Sequence, residues 1–420
     1  MGVLLALMPS AASAANGPKN KDNDTYVQLL AFNDFHGNLQ PSSPGSITYC
    51  CEFDANPAVN KNVPVTRPAG GAAFFAAKVK ELRDRNSNTL TVAAGDLIGA
   101  SPLISGLFHD EPTIEVMNSI GLQVSGVGNH EFDEGLPELY RMQYGGCTAD
   151  PNTCVFGPFG GSLFKYLAAN VFFEGTDTTV FPPYQVEKVD NAKIAFIGLT
   201  LEGTPLVVTP SAIAGLEFRP EIPTVNALVH KLRDEQGVRS FVVLLHQGGI
   251  QGAPFSNKGT YGAPFANGFA DVNACDNLAG DIAPIVKGLD PQVDVVVSAH
   301  THQPYVCPNY ADTGILLTSA SSFGRLVTSI DLTIDHQTKD VTAKTATNYV
   351  VKQTQGEWDS RLSDPTNPKS PPVSLGTPAP QDPTVAAIVA KWAEKSAPLA
   401  NRVIGHIRAD LLCARDGGAG

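Results

Sequence analysis

At 420 residues the chain exceeds the roughly 250–300 over which one hydrophobic core keeps growing, so two domains are expected. With 43% hydrophobic and 17% charged residues it reads as an ordinary globular protein, and a formal net charge of -12 argues against a nucleic acid polymer as partner. An acidic protein that handles anionic substrates needs local positive charge, which bound metal ions can supply.

The N-terminus has the order of an export signal. Val3 to Met8 is a short apolar run, followed by Pro9, small residues from Ser10 to Ala15, and an Ala-x-Ala pattern at Ala12-Ser13-Ala14. No Lys or Arg precedes the run, and it falls just short of the usual ~7–15 apolar residues. Residues 1–25 are therefore read as a signal-peptide remnant with a disordered start. No other stretch reaches the ~18 apolar residues of a membrane span. Cysteine usage points to the same oxidising compartment, secreted, periplasmic or at the cell surface. The seven cysteines (Cys50, Cys51, Cys147, Cys154, Cys275, Cys307 and Cys413) form no Cys-x-x-Cys pair and flank glycine- and proline-rich loops. Cys147 and Cys154 bracket a six-residue stretch holding Asp150 and Pro151, and are expected to be bonded. The remaining connectivity stays open.

Further along, apolar strands repeatedly end in polar motifs. Tyr26 to Phe32 leads into Asn33-Asp34-Phe35-His36-Gly37, and Thr89 to Ala94 into Gly95-Asp96. Asn129 to Asp133 then sets an amide, an imidazole and two carboxylates between Gly128 and Gly135, glycines that permit the tight turns such a cluster needs. Phe241 to Leu245 ends in His246-Gln247-Gly248-Gly249, and Val293 to Ser298 in Ala299-His300-Thr301-His302. Ile194 to Leu199 and Ile315 to Ser319 are apolar without a charged end. Helical patterns over Ala72 to Arg85, Thr113 to Ile120, Ile222 to Glu235 and Leu278 to Gly288 alternate with these strands, which predicts an α/β sheet. Ligands in such sheets gather beyond the carboxyl ends of the strands, where all of these motifs stand.

Their residue types fit one chemistry. Carboxylate, imidazole and amide donors without thiolate suit a pair of first-row divalent ions such as Zn, Mn or Fe. Asp34, His36 and His302 would hold one ion and Asn129, His246 and His300 the other, with Asp96 bridging both through its two oxygens. Such a pair polarises a phosphoryl group and brings the pKa of water toward ~7. No Gly-x-Ser-x-Gly elbow, Walker loop or Gly-x-Gly-x-x-Gly fingerprint offers another route. Four histidines outside the motifs (His109, His230, His336 and His406) are expected to be structural.

Asp-x-His, Gly-Asp, Gly-Asn-His-Glu, a lone His and His-x-His, in this order, resemble the calcineurin-like metallophosphoesterases. Asn33 to Gly37, Gly70-Gly71 opening a helix, Gly95 to Pro102, and Gly128 to Asp133 are similar, more narrowly, to the secreted 5′-nucleotidase / UDP-sugar hydrolase family. The match spans residues 26–355. It implies a four-layer α/β/β/α domain with a di-metal site, and a dyad of His130 and Asp133 in which Asp133 orients His130 near the phosphate. Ala299 departs from the glycine usual before His300, without touching a ligand. Ser43 to Arg67 and Ala253 to Asp276 read as long loops at the cleft mouth.

Residues 356–382, rich in Pro, Ser and Thr, read as a linker. Residues 383–420 open with helical periodicity from Pro383 to Lys395 and are read as the start of a second, α+β substrate-binding domain that the chain does not complete. The leading functional expectation is release of phosphate from nucleoside 5′-monophosphates. A diester or pyrophosphate substrate, such as a 2′,3′-cyclic nucleotide or a UDP-sugar, is the alternative. A non-catalytic surface module is opposed by the full ligand set.

Overall fold

Side-chain alternation along each strand builds the layers. In the computed structural model, which describes residues 24–41, 46–49, 65–252, 272–275, 277–355 and 377–403, β1 (Thr25–Phe32) sends Leu30 and Phe32 to one face. Val27, Leu29 and Ala31 go to the other. The apolar N-terminal run, Cys50, Cys51, Cys413, His406 and most of the linker lie outside the described residues. The further strands of the two main sheets are β2 (Thr89–Ala93), β3 (Val124–Gly126), β4 (Lys165–Leu167), β5 (Tyr184–Val189), β6 (Ala192–Thr200), β7 (Ser240–His246), β8 (Val295–Ser298), β9 (Pro304–Cys307), β10 (Leu316–Ala320), β11 (Leu326–Ile334) and β12 (Val341–Val350). One sheet runs β12-β11-β1-β2-β3-β4 and the other β9-β10-β8-β7-β6-β5. Within them β1 to β4, and β6, β7, β8 and β10, pair in parallel. The antiparallel strands β5, β9, β11 and β12 extend each sheet outward.

The sheets pack face to face. Val27, Leu29 and Val92 of the first meet Phe196, Val242, Leu244 and Val297 of the second. On the outer face of the first sheet lie α1 (Ala72–Arg83), α2 (Leu103–Gly106), α3 (Glu111–Ile120) and α4 (Leu136–Tyr144). The outer face of the second, formed by residues such as Phe241, Val243 and Leu245, is covered by α5 (Glu221–Gln236) and α6 (Ile282–Gly288). This is the expected α/β/β/α architecture. Its parallel strands bring their carboxyl ends to one edge, so the motif loops converge.

A further helix, α7 (Pro383–Ala400), is capped by Asp382, whose Oδ1 accepts from the Thr384 and Val385 amides at 3.0 Å. It packs on α1, α2 and α3, and Thr377–Pro378 pairs antiparallel with Thr354–Gln355 just before it. Trp392 is buried there, with ring centroids 4.9 Å from Phe108 and 4.8 Å from Phe156. Its Nε1 donates to Glu115 at 2.7 Å. Within the stretch read as a loop, Ser46–Tyr49 and Val65–Pro68 form an antiparallel pair.

Cys147 and Cys154 are bonded, as expected, and Cys275 is bonded to Cys307. The loop closed by the first bond is tied to the rest by His109, whose Nδ1 lies 2.5 Å from Glu134 and whose Nε2 lies 3.4 Å from Asp150. Burial pulls the imidazole pKa down, but Glu134, Glu138 and Asp150 outweigh it and hold the pKa above its ordinary value. A raised native pKa gives stability that is full below the unfolded value of ~6.5 and is lost as pH climbs through the native one. His109→Gln should therefore lower Tm by about 1–3 °C near pH 6 and match the wild type near pH 9, read by thermal melts across that range. A gap that widened toward alkaline pH would contradict this account.

Candidate metal centre

Backbone strain marks the convergence point. Asp34, His36, Asp96, His300 and His302 all carry left-handed φ, between 46° and 70°. Such conformations are uncommon outside glycine and gather where a site dictates side-chain direction. β1 presents Asp34 and His36, β2 presents Asp96, β3 leads to Asn129, β7 ends on His246, and β8 leads to His300 and His302.

Overlapping donor groups result, one of them made of His36, Asp96 and His130. The ligand atoms of Asp34, His36 and His302 lie within 4.8 Å of one another, and so do those of Asp96, His246 and His300. Asp96 stands between them: its Oδ2 is 2.9 Å from His246 Nε2 and 3.6 Å from His36 Nε2. Asp34 Oδ1 is 3.3 Å from His302 Nε2 and 4.0 Å from His246 Nε2.

Hydrogen bonds aim these atoms. His36 Nδ1 is 2.9 Å from the Gly99 carbonyl and His246 Nδ1 is 2.8 Å from the Ala94 carbonyl. A carbonyl only accepts, so each Nδ1 carries the proton and each Nε2 turns its lone pair inward. Asp34 accepts from the His300 amide at 3.1 and 3.0 Å, and from Asn33 Nδ2 at 2.6 Å. His36 Nε2 and His302 Nε2 face each other at 3.2 Å. Asn129 Oδ1 is buried and makes no hydrogen bond, and the buried His246 Nε2 faces the Asp96 carboxylate. Acceptors converging without donors are what a cation requires, so these residues fit a pair of divalent ions. Burial pushes Asp96 up, but His246, His36 and His130 outweigh it and hold the carboxyl well below the usual range.

Beside the donors, His130 Nδ1 lies 2.7 Å from Asp133 Oδ2, and its ring centroid is 5.1 Å from that of His36. The bond to Asp133 raises the His130 pKa above its ordinary value, with Asp96 adding to it. Two glycines make this approach possible. A Cβ on Gly128 would sit 2.1 Å from Asp96 Oδ1, and one on Gly99 would sit 2.5 Å from the His130 carbonyl.

The calcineurin-like phosphoesterase family model matches residues 27–304, most of the chain and every candidate ligand. The chain belongs to this family. The phosphoesterase is similar to endonuclease YhcR of Bacillus subtilis, with 29% identity over 408 residues, 96% of this chain and 28% of that protein. To the 5'-nucleotidase of Vibrio cholerae it is 26% identical over 309 residues, 72% of this chain and 45% of that protein. The chain thus spans less than half of each of these relatives. Its fold is shared with the 5'-nucleotidase precursor of Thermus thermophilus at a TM-score of 0.59 and 20% identity, over 90% of this chain and 61% of that one.

Two further side chains contribute to the site. Glu131, fully buried, accepts from the Asp96, Leu97 and Gly128 amides at 2.8, 2.8 and 2.6 Å. Burial raises its pKa to about 7. Its place in Gly-Asn-His-Glu was the available signal. Phe323, 5.2 Å between ring centroids from His302, had no such signal.

Proposed function

We propose that this phosphoesterase is an exported enzyme that releases phosphate from nucleoside 5′-monophosphates. The observation that carries the hydrolytic part is the pair of donor groups joined through Asp96, with the His130–Asp133 dyad at their edge. Asp34, His36 and His302 would hold one ion, Asn129, His246 and His300 the second, and Asp96 both. When bound, Zn, Mn or Fe ions supply Lewis acidity at the phosphoryl oxygens and activate water near neutral pH.

The chain's own residues do the rest. Carbonyl-fixed His36 and His246 and the doubly bonded Asp34 keep the donors oriented. His130, kept protonated by Asp133, donates to the leaving oxygen as the ester bond breaks. Nucleoside monophosphates are favoured by the motifs shared with the 5′-nucleotidase family. Export is favoured by the Cys147–Cys154 and Cys275–Cys307 bonds, which persist in oxidising compartments. Among the described residues no helix is long and apolar enough to cross a membrane.

A second reading, hydrolysis of a diester such as a 2′,3′-cyclic nucleotide, draws on the similarity to a protein named as an endonuclease over nearly the whole chain. Both are tested on chelator-stripped protein reloaded with Mn or Zn and offered AMP, 2′,3′-cyclic AMP and UDP-glucose. The expected result is metal-dependent phosphate release with AMP preferred. Preference for the cyclic diester or the UDP-sugar would replace the first reading, and no metal-dependent turnover of any would remove both.

A further inference from the structure

The donor cluster is polar on nearly every side, yet one aromatic ring leans on it. Phe323 sits in the loop after β10, with its ring centroid 5.2 Å from His302 and 5.8 Å from His36. No other Phe, Tyr or Trp ring among the described residues is in ring contact with a candidate ligand imidazole. Phe323 is half-buried, and the His302 side chain beside it is 36% exposed, so the cluster opens to solvent on this side.

The backbone is bent to put the ring there. Phe323 has φ of 60°, between Ser321 at 59° and Gly324 at 63°. For a bulky aromatic side chain this is an outlier, and it persists only where the surroundings dictate it. They do so here: the Phe323 amide donates to the Asp34 carbonyl at 2.7 Å, which fixes the loop to the strand end that carries a ligand. The Arg325 guanidinium carbon lies over the same ring, 4.9 Å from its centroid. A ring that only filled a gap in the nearby core has no need of a strained backbone or of an exposed edge at the ligands.

We propose that Phe323 is a specificity-determining residue, the phosphoesterase domain's own apolar wall for a ring carried on the ester oxygen, whether the ribose of a nucleotide or an aryl group. The assignment rests on the phosphoester-hydrolase reading and sharpens its substrate class. Contact between such a ring and Phe323 lowers the barrier for ring-bearing esters and does little for short alkyl esters, whose leaving group does not extend to the wall.

The test measures kcat/KM for phenyl phosphate and ethyl phosphate on Mn-loaded wild type, Phe323→Leu and Phe323→Tyr, with metal content read on each. Comparing each substrate with itself across variants cancels their unequal intrinsic reactivity. Phe323→Leu should lower the phenyl-to-ethyl ratio about tenfold, while Phe323→Tyr, which keeps the ring, should hold it within about twofold. Bound metal should match the wild type in both. Phe323→Met gives a second ring-free comparison if leucine upsets the left-handed turn. An unchanged ratio in the ring-free variants, whether both substrates fall together or neither moves, overturns the assignment while leaving the hydrolase intact. Failure of the wild type on both esters would instead sink the phosphoester reading, and this assignment with it.

Discussion

Asp96→Asn is expected to abolish phosphate-ester hydrolysis, by at least about 10³-fold, and to reduce bound metal from two ions to one or none. A single oxygen of this carboxylate faces both donor sets, with Oδ2 2.9 Å from His246 Nε2 and 3.6 Å from His36 Nε2. Its other oxygen accepts from the His130 amide at 2.9 Å. Asparagine keeps the shape but offers one oxygen where two are needed, turns an N–H₂ toward one of the two groups, and removes a negative charge that offsets the ions. The fold should stand, because Asp96 supports no part of the cores between or outside the sheets. Elemental analysis, a melting curve and turnover on one preparation check all three statements. Two retained ions with near-normal turnover would show that Asp96 does not bridge.

His130→Ala is expected to slow the reaction about 10²–10⁴-fold while leaving both ions in place. The imidazole lies beside the donors, but its Nδ1 is committed to Asp133 at 2.7 Å, which raises its pKa and keeps it a proton donor. A group that protonates the leaving oxygen matters most when that oxygen is a poor leaving group. The loss should therefore be larger for AMP than for a nitrophenyl ester, whose phenolate departs unaided. Asp133→Asn should show the same ordering with a smaller loss. An equal loss on both esters, or release of an ion from His130→Ala, would argue for a role in metal binding instead.

The candidate donors were legible because each is part of a short local motif. Asp34 and His36, or His300 and His302, are neighbours in sequence at the end of an apolar strand, and the parallel order of the sheet brings such ends together. What holds them was not legible. The bond from the His300 amide to Asp34 spans 266 residues, and nothing local announces it. The edge strands were missed for a different reason. β12 reads Val-Thr-Ala-Lys-Thr-Ala-Thr-Asn-Tyr-Val, a polar run with only partial alternation, because much of its surface is exposed. Phe323 illustrates the limit most plainly, since its place beside His302 follows from a left-handed turn that no residue preference predicts for phenylalanine. Trp392 is similar, because helical periodicity marked α7 while its buried partners, Phe108 and Phe156, lie far away in sequence.

Glu131 carries one last consequence, for the traffic of ions. By gathering the Asp96, Leu97 and Gly128 amides on one buried carboxylate, it clamps the loop after β2 to the loop after β3 from beneath. These loops bear Asp96, the candidate bridge, and Asn129, a candidate donor to one ion. A zinc finger must fold around its ion and so spends part of the binding free energy on ordering the chain. Here the Glu131 bonds fix two donor-bearing loops to each other, so less of that ordering is left to the ion. Uptake then needs mainly desolvation of the ion and passage through the mouth, and departure of an ion leaves these loops joined for the next.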